Sequence, residues 1–196
     1  MIPERFEMGI THLMLMTVGI IAIRLIPLLT GYSVTFLNFT PLGAFVLFGS
    51  VYLKGNIKPF LFPLVVLFIS DVVLCYTVYG SSRQGILYPN WWWVYMSFLI
   101  IVLIGKIIVR NVTFKNLTLA VVVSTITHWL VSNIGDCMKA PDVVQSFLLY
   151  KYRLISALSF ELYFLVGTLI YAFILFGSIE WIFKRSKTLE INVAGS

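Results

Sequence analysis

The sequence predicts an all-α integral membrane protein, a bundle of six transmembrane helices with a short second helix and both termini cytoplasmic. Three observations predict it. Hydrophobic residues make up 60% of the 196 and charged residues only 11%, against roughly 25% charged in an ordinary soluble domain. Several apolar runs approach or reach the ~20 residues that a helix needs to cross a hydrocarbon layer of ~30 Å. Lys and Arg divide unevenly between alternate connections.

Six segments can be drawn, at 10–29, 41–53, 59–79, 91–109, 116–134 and 154–181. The first competes with a signal peptide, but Arg24 and Pro27 interrupt its end and no small-x-small cleavage site follows, so it is read as a span. The second has 13 residues and is short for a span; local thinning, burial in the bundle or a re-entrant course would each accommodate it. The remaining four are long enough. No repeat or low-complexity tract divides the chain, which reads as one membrane domain over 1–196.

Orientation follows from the short loops. One side collects Arg5, Lys54, Lys58, Lys106, Arg110, Lys115, Lys184, Arg185 and Lys187, the other only Arg83, Lys139, Lys151 and Arg153. The nine-charge side should be cytoplasmic. The expected setting is therefore a membrane crossed several times, and the net charge of +6 reads as topology and attraction to anionic lipid headgroups, with no support for nucleic acid as a partner. The outer connections, rich in Asn, Gly, Pro and aromatic residues, could fold over a ligand. Trp91, Trp92 and Trp93 have the plainer reading of an interfacial aromatic belt.

Ionisable groups inside a membrane are costly and tend to face a bundle interior or cavity. Asp71 and His128 each lie 12 residues from the cytoplasmic end of their segments, or about 18 Å in. Arg24 lies about 21 Å in, and Glu161, entering from outside, about 20 Å from the inner face. Four helices thus bring a polar group to one level. Cys75 follows Asp71 by four residues, hence on the same helix face about one turn further out. This pattern predicts a cavity open to the outside, with Asn38, Trp92, Tyr95 and Asn133 as lid or wall. Arg24 paired with Asp71 or Glu161 as a plain structural ion pair is the competing reading.

Several stretches carry a resemblance: RLIP (24–27), NFTPLGAFVLFGSVYL (38–53), PLVVLFISDVVL (63–74), SNIGD (132–136), SFLLYKYRL (146–154) and LFG (175–177). They resemble a group of small bacterial membrane proteins of unknown function, which is similar to the substrate-binding subunits of energy-coupling-factor vitamin transporters. The resemblance implies six helices, uptake of a vitamin from an outward-facing cavity, and an energising module as partner. Docking on that module usually uses AxxxA in the first helix, which GIIAIRLIP lacks. A stand-alone cobalamin-specific member uses a cysteine as lower axial cobalt ligand, which by resemblance gives Cys75 that role toward cobalamin as bound substrate. A thiolate is a soft donor suited to cobalt, His128 could take its proton, and Arg24 would have to neutralise Asp71 for the thiol to ionise.

Two other functions fit the same residues. One is an intramembrane enzyme in which Cys75 attacks, His128 is the base and Asp71 orients the imidazole. The other is a membrane scaffold whose buried polar groups only fix helix packing.

Overall fold

The computed structural model describes residues 10–29, 39–77, 85–138 and 140–194, with side chains placed over 14–26, 39–77, 85–138, 140–182 and at 185. These residues form helices joined by turns: α1 (Ile10–Leu29), α2 (Leu42–Tyr52), α3 (Lys58–Thr77), α4 (Trp91–Ile108), α5 (Phe114–Ser132), the single turn α6 (Ile134–Cys137) and α7 (Val143–Ala194). Among the described residues, four stretches are long and apolar enough to cross a membrane, namely Lys58–Thr77, Trp91–Ile108, Phe114–Cys137 and Val143–Ile182, while Met14–Ile26 and Leu42–Tyr52 are shorter apolar helices. Their outward faces carry large apolar side chains such as Leu61, Phe68, Leu103, Ile126, Ile170 and Ile174. Water would not tolerate so continuous an apolar exterior, and lipid does.

At the centre lies α2. All 11 of its residues are buried, and at 1.5 Å per residue it is only about 16 Å long. Of the three ways to accommodate a short segment, enclosure within the bundle is the one adopted, with α3, α4, α5 and α7 packed around it. Small residues permit this close approach. A Cβ on Gly105 of α4 would collide with the Ser50 hydroxyl, and one on Gly43 would come within 2.8 Å of the Phe164 ring and strike Thr168. At the far end of α2, Phe48, Tyr52 and Phe176 of α7 pack with ring centroids 4.9–5.7 Å apart, and the Tyr52 hydroxyl donates to Glu180 Oε1 at 2.8 Å.

These contacts set the directions. Residues 43 to 52 of α2 pass 164 to 180 of α7 in the same sense, so the two run parallel. In α5, Phe114 stacks on Phe173 whereas His128 stacks on Phe164, so α5 runs antiparallel to α7. The N-terminus of α2, the C-terminal halves of α3 and α5, and the N-terminal halves of α4 and α7 therefore meet at one end of the bundle.

One element departs from the sequence reading. The last helix starts at Val143, not near 154, and most of the supposed outer loop before it is helical. Asp142 supplies the reason: its carboxylate accepts from the Gln145 N–H at 2.8 Å, capping the first turn. The stretch that follows, VVQSFLLYKYRLISALSF, contains neither Pro nor Gly, and nothing stops the helix from starting there.

Packing around α2 makes a test. Gly43→Ala should destabilise the protein by about 1–3 kcal/mol, the usual cost of overpacking, while Gly177→Ala, where an added Cβ meets nothing within 4 Å, should be neutral. Melting curves in mild detergent compare them; equal melting temperatures would place Gly43 in a looser environment than this one.

Candidate functional site

Because α2 begins at Leu42 and runs away from this end, the bundle interior beyond its N-terminus is left without a central helix. A cavity of about 370 Å³ occupies that space, with Thr40 and Leu42 at its base. Two ion pairs line it.

The first joins α1 to α3. Arg24 Nη2 lies 2.7 Å from Asp71 Oδ1, and Arg24 Nη1 donates to the Ser70 hydroxyl. Tyr88, in the turn before α4, donates its phenol to Asp71 Oδ2 at 3.1 Å. Burial, followed by the neighbouring Asp71 charge, pushes the Tyr88 phenol well above its ordinary range, so it remains a donor. Asp71 is 1% exposed, and each of its oxygens is matched.

The second pair joins α5 to α7. His128 Nδ1 lies 2.9 Å and 3.1 Å from the two oxygens of Glu161. The imidazole is stacked on Phe164 at 4.7 Å and flanked by Phe98 at 5.4 Å. Since the carboxylate requires a donor at Nδ1, a neutral imidazole carries its proton there and offers Nε2 as an acceptor. Nε2 has no partner among the described residues.

The adjoining rim is built by SNIGD. Asn133 closes α5, and its amide nitrogen donates to the Trp129 carbonyl at 2.7 Å, which leaves the side-chain oxygen free of partners among the described residues. Gly135 lies against Asn90 and Trp93, where any side chain would collide. Asp136 accepts from Asn90 at 2.7 Å and pairs with Arg153 at 2.9 Å, which fastens α6 to the start of α4 and to α7. Asn90 itself holds a left-handed conformation, φ 61°, tolerated by Asn better than by most residues.

Of the residues expected from sequence, Arg24, Asp71, His128, Asn133 and Glu161 all line this one cavity. Cys75 does not. It is fully buried on α3 and, like Cys137, is not in a disulfide. Trp92 is half exposed and touches Trp91. Tyr95 packs on Trp91 at 5.0 Å, and neither Trp92 nor Tyr95 contributes to the lining. Asn38 lies outside the described residues. The arrangement in which Asp71 orients His128 is not the one adopted: the carboxylate on the imidazole is Glu161, because Asp71 is held by Arg24 and Tyr88. The sequence reading passed over Ser70, Tyr88, Phe98 and Phe160. Ser70 adjoins Asp71 and Tyr88 stands in the YPN turn, but no sequence spacing ties a loop phenol to a carboxylate 17 residues away.

The model of a family of unknown function, DUF6580, matches residues 5–190. The chain belongs to this family. No curated protein and no solved structure matches it. In this DUF6580 chain the motif pieces acquire physical roles: RLIP supplies Arg24, SD supplies Ser70 and Asp71, and SNIGD forms the rim.

Arg24→Ala would leave Asp71 charged, buried and without its counterion, at a cost of about 3–5 kcal/mol. The exposed Lys54→Ala should change little. A melting temperature for Arg24→Ala equal to that of Lys54→Ala would mean that the pair is solvated rather than buried.

Proposed function

We propose that this chain is a multi-pass protein of the bacterial inner membrane that captures a small organic molecule from the outer side, as the substrate-binding subunit of a vitamin importer does. One observation carries the reading: two buried acid–base pairs, from four different helices, line a single cavity, and His128 and Asn133 in that lining keep hydrogen-bonding atoms without partners among the described residues. A bundle that needed polar groups only for packing would satisfy them against one another and fill the space between. The volume of about 370 Å³ falls in the lower part of the range of roughly 300–1,000 Å³ for small-molecule sites. That suits a compact, vitamin-sized molecule better than a whole corrinoid. With Cys75 outside the lining, the proposal gives the thiol no ligand role and no part in covalent catalysis.

The direction of capture rests on charge. In the proposed topology α1 to α5 and α7 are the six membrane segments, with α2 enclosed by the others, and the cavity lies at the four-charge end. An energising partner would have to grip a face other than a small-residue seam on α1, since GIIAIRLIP offers no AxxxA.

Two measurements check this. A reporter fused after Ser196 should be active only as a cytoplasmic fusion, and a periplasmic signal from a stable fusion would reverse the topology and the outward cavity with it. Gently released protein analysed by native mass spectrometry should carry a small organic adduct that Ala157→Trp, which fills the cavity from α7, no longer carries. An adduct retained in full by the folded variant would place the ligand elsewhere.

A further inference from the structure

We infer that the molecule held in this cavity is an organic cation whose positive group sits against Glu161, an inference that rests on the small-molecule reading above. The two ion pairs are unequal. Asp71 is balanced by a permanent cation, Arg24, at 2.7 Å, so that wall is neutral. Glu161 is 5% exposed, and its polar partner among the described residues is an imidazole. A guanidinium is permanently charged and cancels Asp71, whereas an imidazole can be neutral; when His128 is neutral, Glu161 leaves the lining with one unbalanced negative charge.

The N-terminal end of α2 also faces the cavity, but its partial charge of about half a unit offsets only part of that, and the Leu42 N–H is already directed at the Thr40 hydroxyl at 3.3 Å. An incoming anion would add to an unbalanced charge in a medium of low polarity, while a cation would cancel it.

The unused atoms agree. Glu161 carries lone pairs beyond those facing His128, Asn133 presents a free amide oxygen, and Nε2 of a neutral His128 is an acceptor. All three seek donors, which an ammonium or a protonated heterocycle supplies. The rest of that wall is aromatic: Phe98, Phe160 and Phe164 line the cavity beside Glu161. Ring faces attract cations, and a carboxylate set among aromatic rings is the chemistry that binds substituted ammonium groups. Arg24 keeps spare N–H donors for a neutral carbonyl or hydroxyl elsewhere on the same ligand.

The test uses purified full-length protein titrated with benzylammonium, benzyl alcohol and benzoate, three probes of similar size that differ in charge, with the rise in melting temperature as readout. The cation should bind tightest, and Glu161→Gln, which keeps an oxygen for His128, should weaken it about 10- to 100-fold, as loss of a charged hydrogen-bond partner does. Should that variant fail to fold, Phe160→Leu should weaken the cation about 2- to 20-fold and the alcohol by a smaller factor, since only the cation loses its attraction to the ring face. Benzoate or benzyl alcohol binding as tightly as the cation, or cation binding unchanged in both variants, would overturn the inference while leaving a small-molecule cavity in place. No stabilisation by any probe at millimolar concentration would count against the cavity reading itself.

Discussion

A wholly buried helix about half as long as a membrane span cannot be stable alone in lipid, and α2 is such a helix. Enclosure by α3, α4, α5 and α7 supplies what lipid contact would otherwise provide, and the small residues Gly43, Ser50 and Gly105 let those helices come close enough. The same shortness has a second consequence. Past the N-terminus of α2 the surrounding helices have nothing in their middle. The cavity is the part of the bundle that α2 does not reach, and the polar residues of the neighbouring helices line it.

Those residues then meet in a way that fixes the upper bundle. Arg24 with Asp71 ties the peripheral α1 to α3, and His128 with Glu161 ties α5 to α7. Burying a carboxylate with its basic partner carries a desolvation cost that their attraction can fail to offset, so neither pair is a cheap way to hold helices together. Apolar packing would do that at lower cost, as the Phe48, Tyr52 and Phe176 cluster does at the opposite end. Charged groups kept at one depth, facing one space, make better sense as the walls of a binding site. The difference between the walls, one balanced by Arg24 and the other by an imidazole, is the basis of the proposed preference for a cation.

Depth along each helix was legible in the sequence, and it brought Arg24, Asp71, His128 and Glu161 to one level before any fold was known. Pairing is not legible, because depth carries no information about how helices are ordered around the bundle; hence Arg24 has two candidate carboxylates, and only the enzyme alternative gives His128 one, Asp71, where the structure has Glu161. Cys75 shares a helix face with Asp71, as its four-residue spacing requires, but spacing cannot reveal which neighbour covers the next turn. The early start of α7 was hidden because Asp142, its cap, stands after a Gly-, Asn- and Pro-containing stretch that resembles a loop throughout. Trp92 and Tyr95 looked like lid residues by composition, yet rotation about α4 turns Val94 and Phe98 to the cavity instead.

The central claim is that the space framed by the two ion pairs is a water-accessible cavity open to the outside of the cell. Cysteine labelling reads that directly. In a Cys75→Ala, Cys137→Ala background, Ala157→Cys puts a thiol on the α7 wall of the cavity. A membrane-impermeant maleimide added to intact cells should label it, and Phe164→Cys, deeper on the same wall, should label more slowly. Labelling of Ala157→Cys only after the membrane is permeabilised, or none in folded protein, would contradict the account.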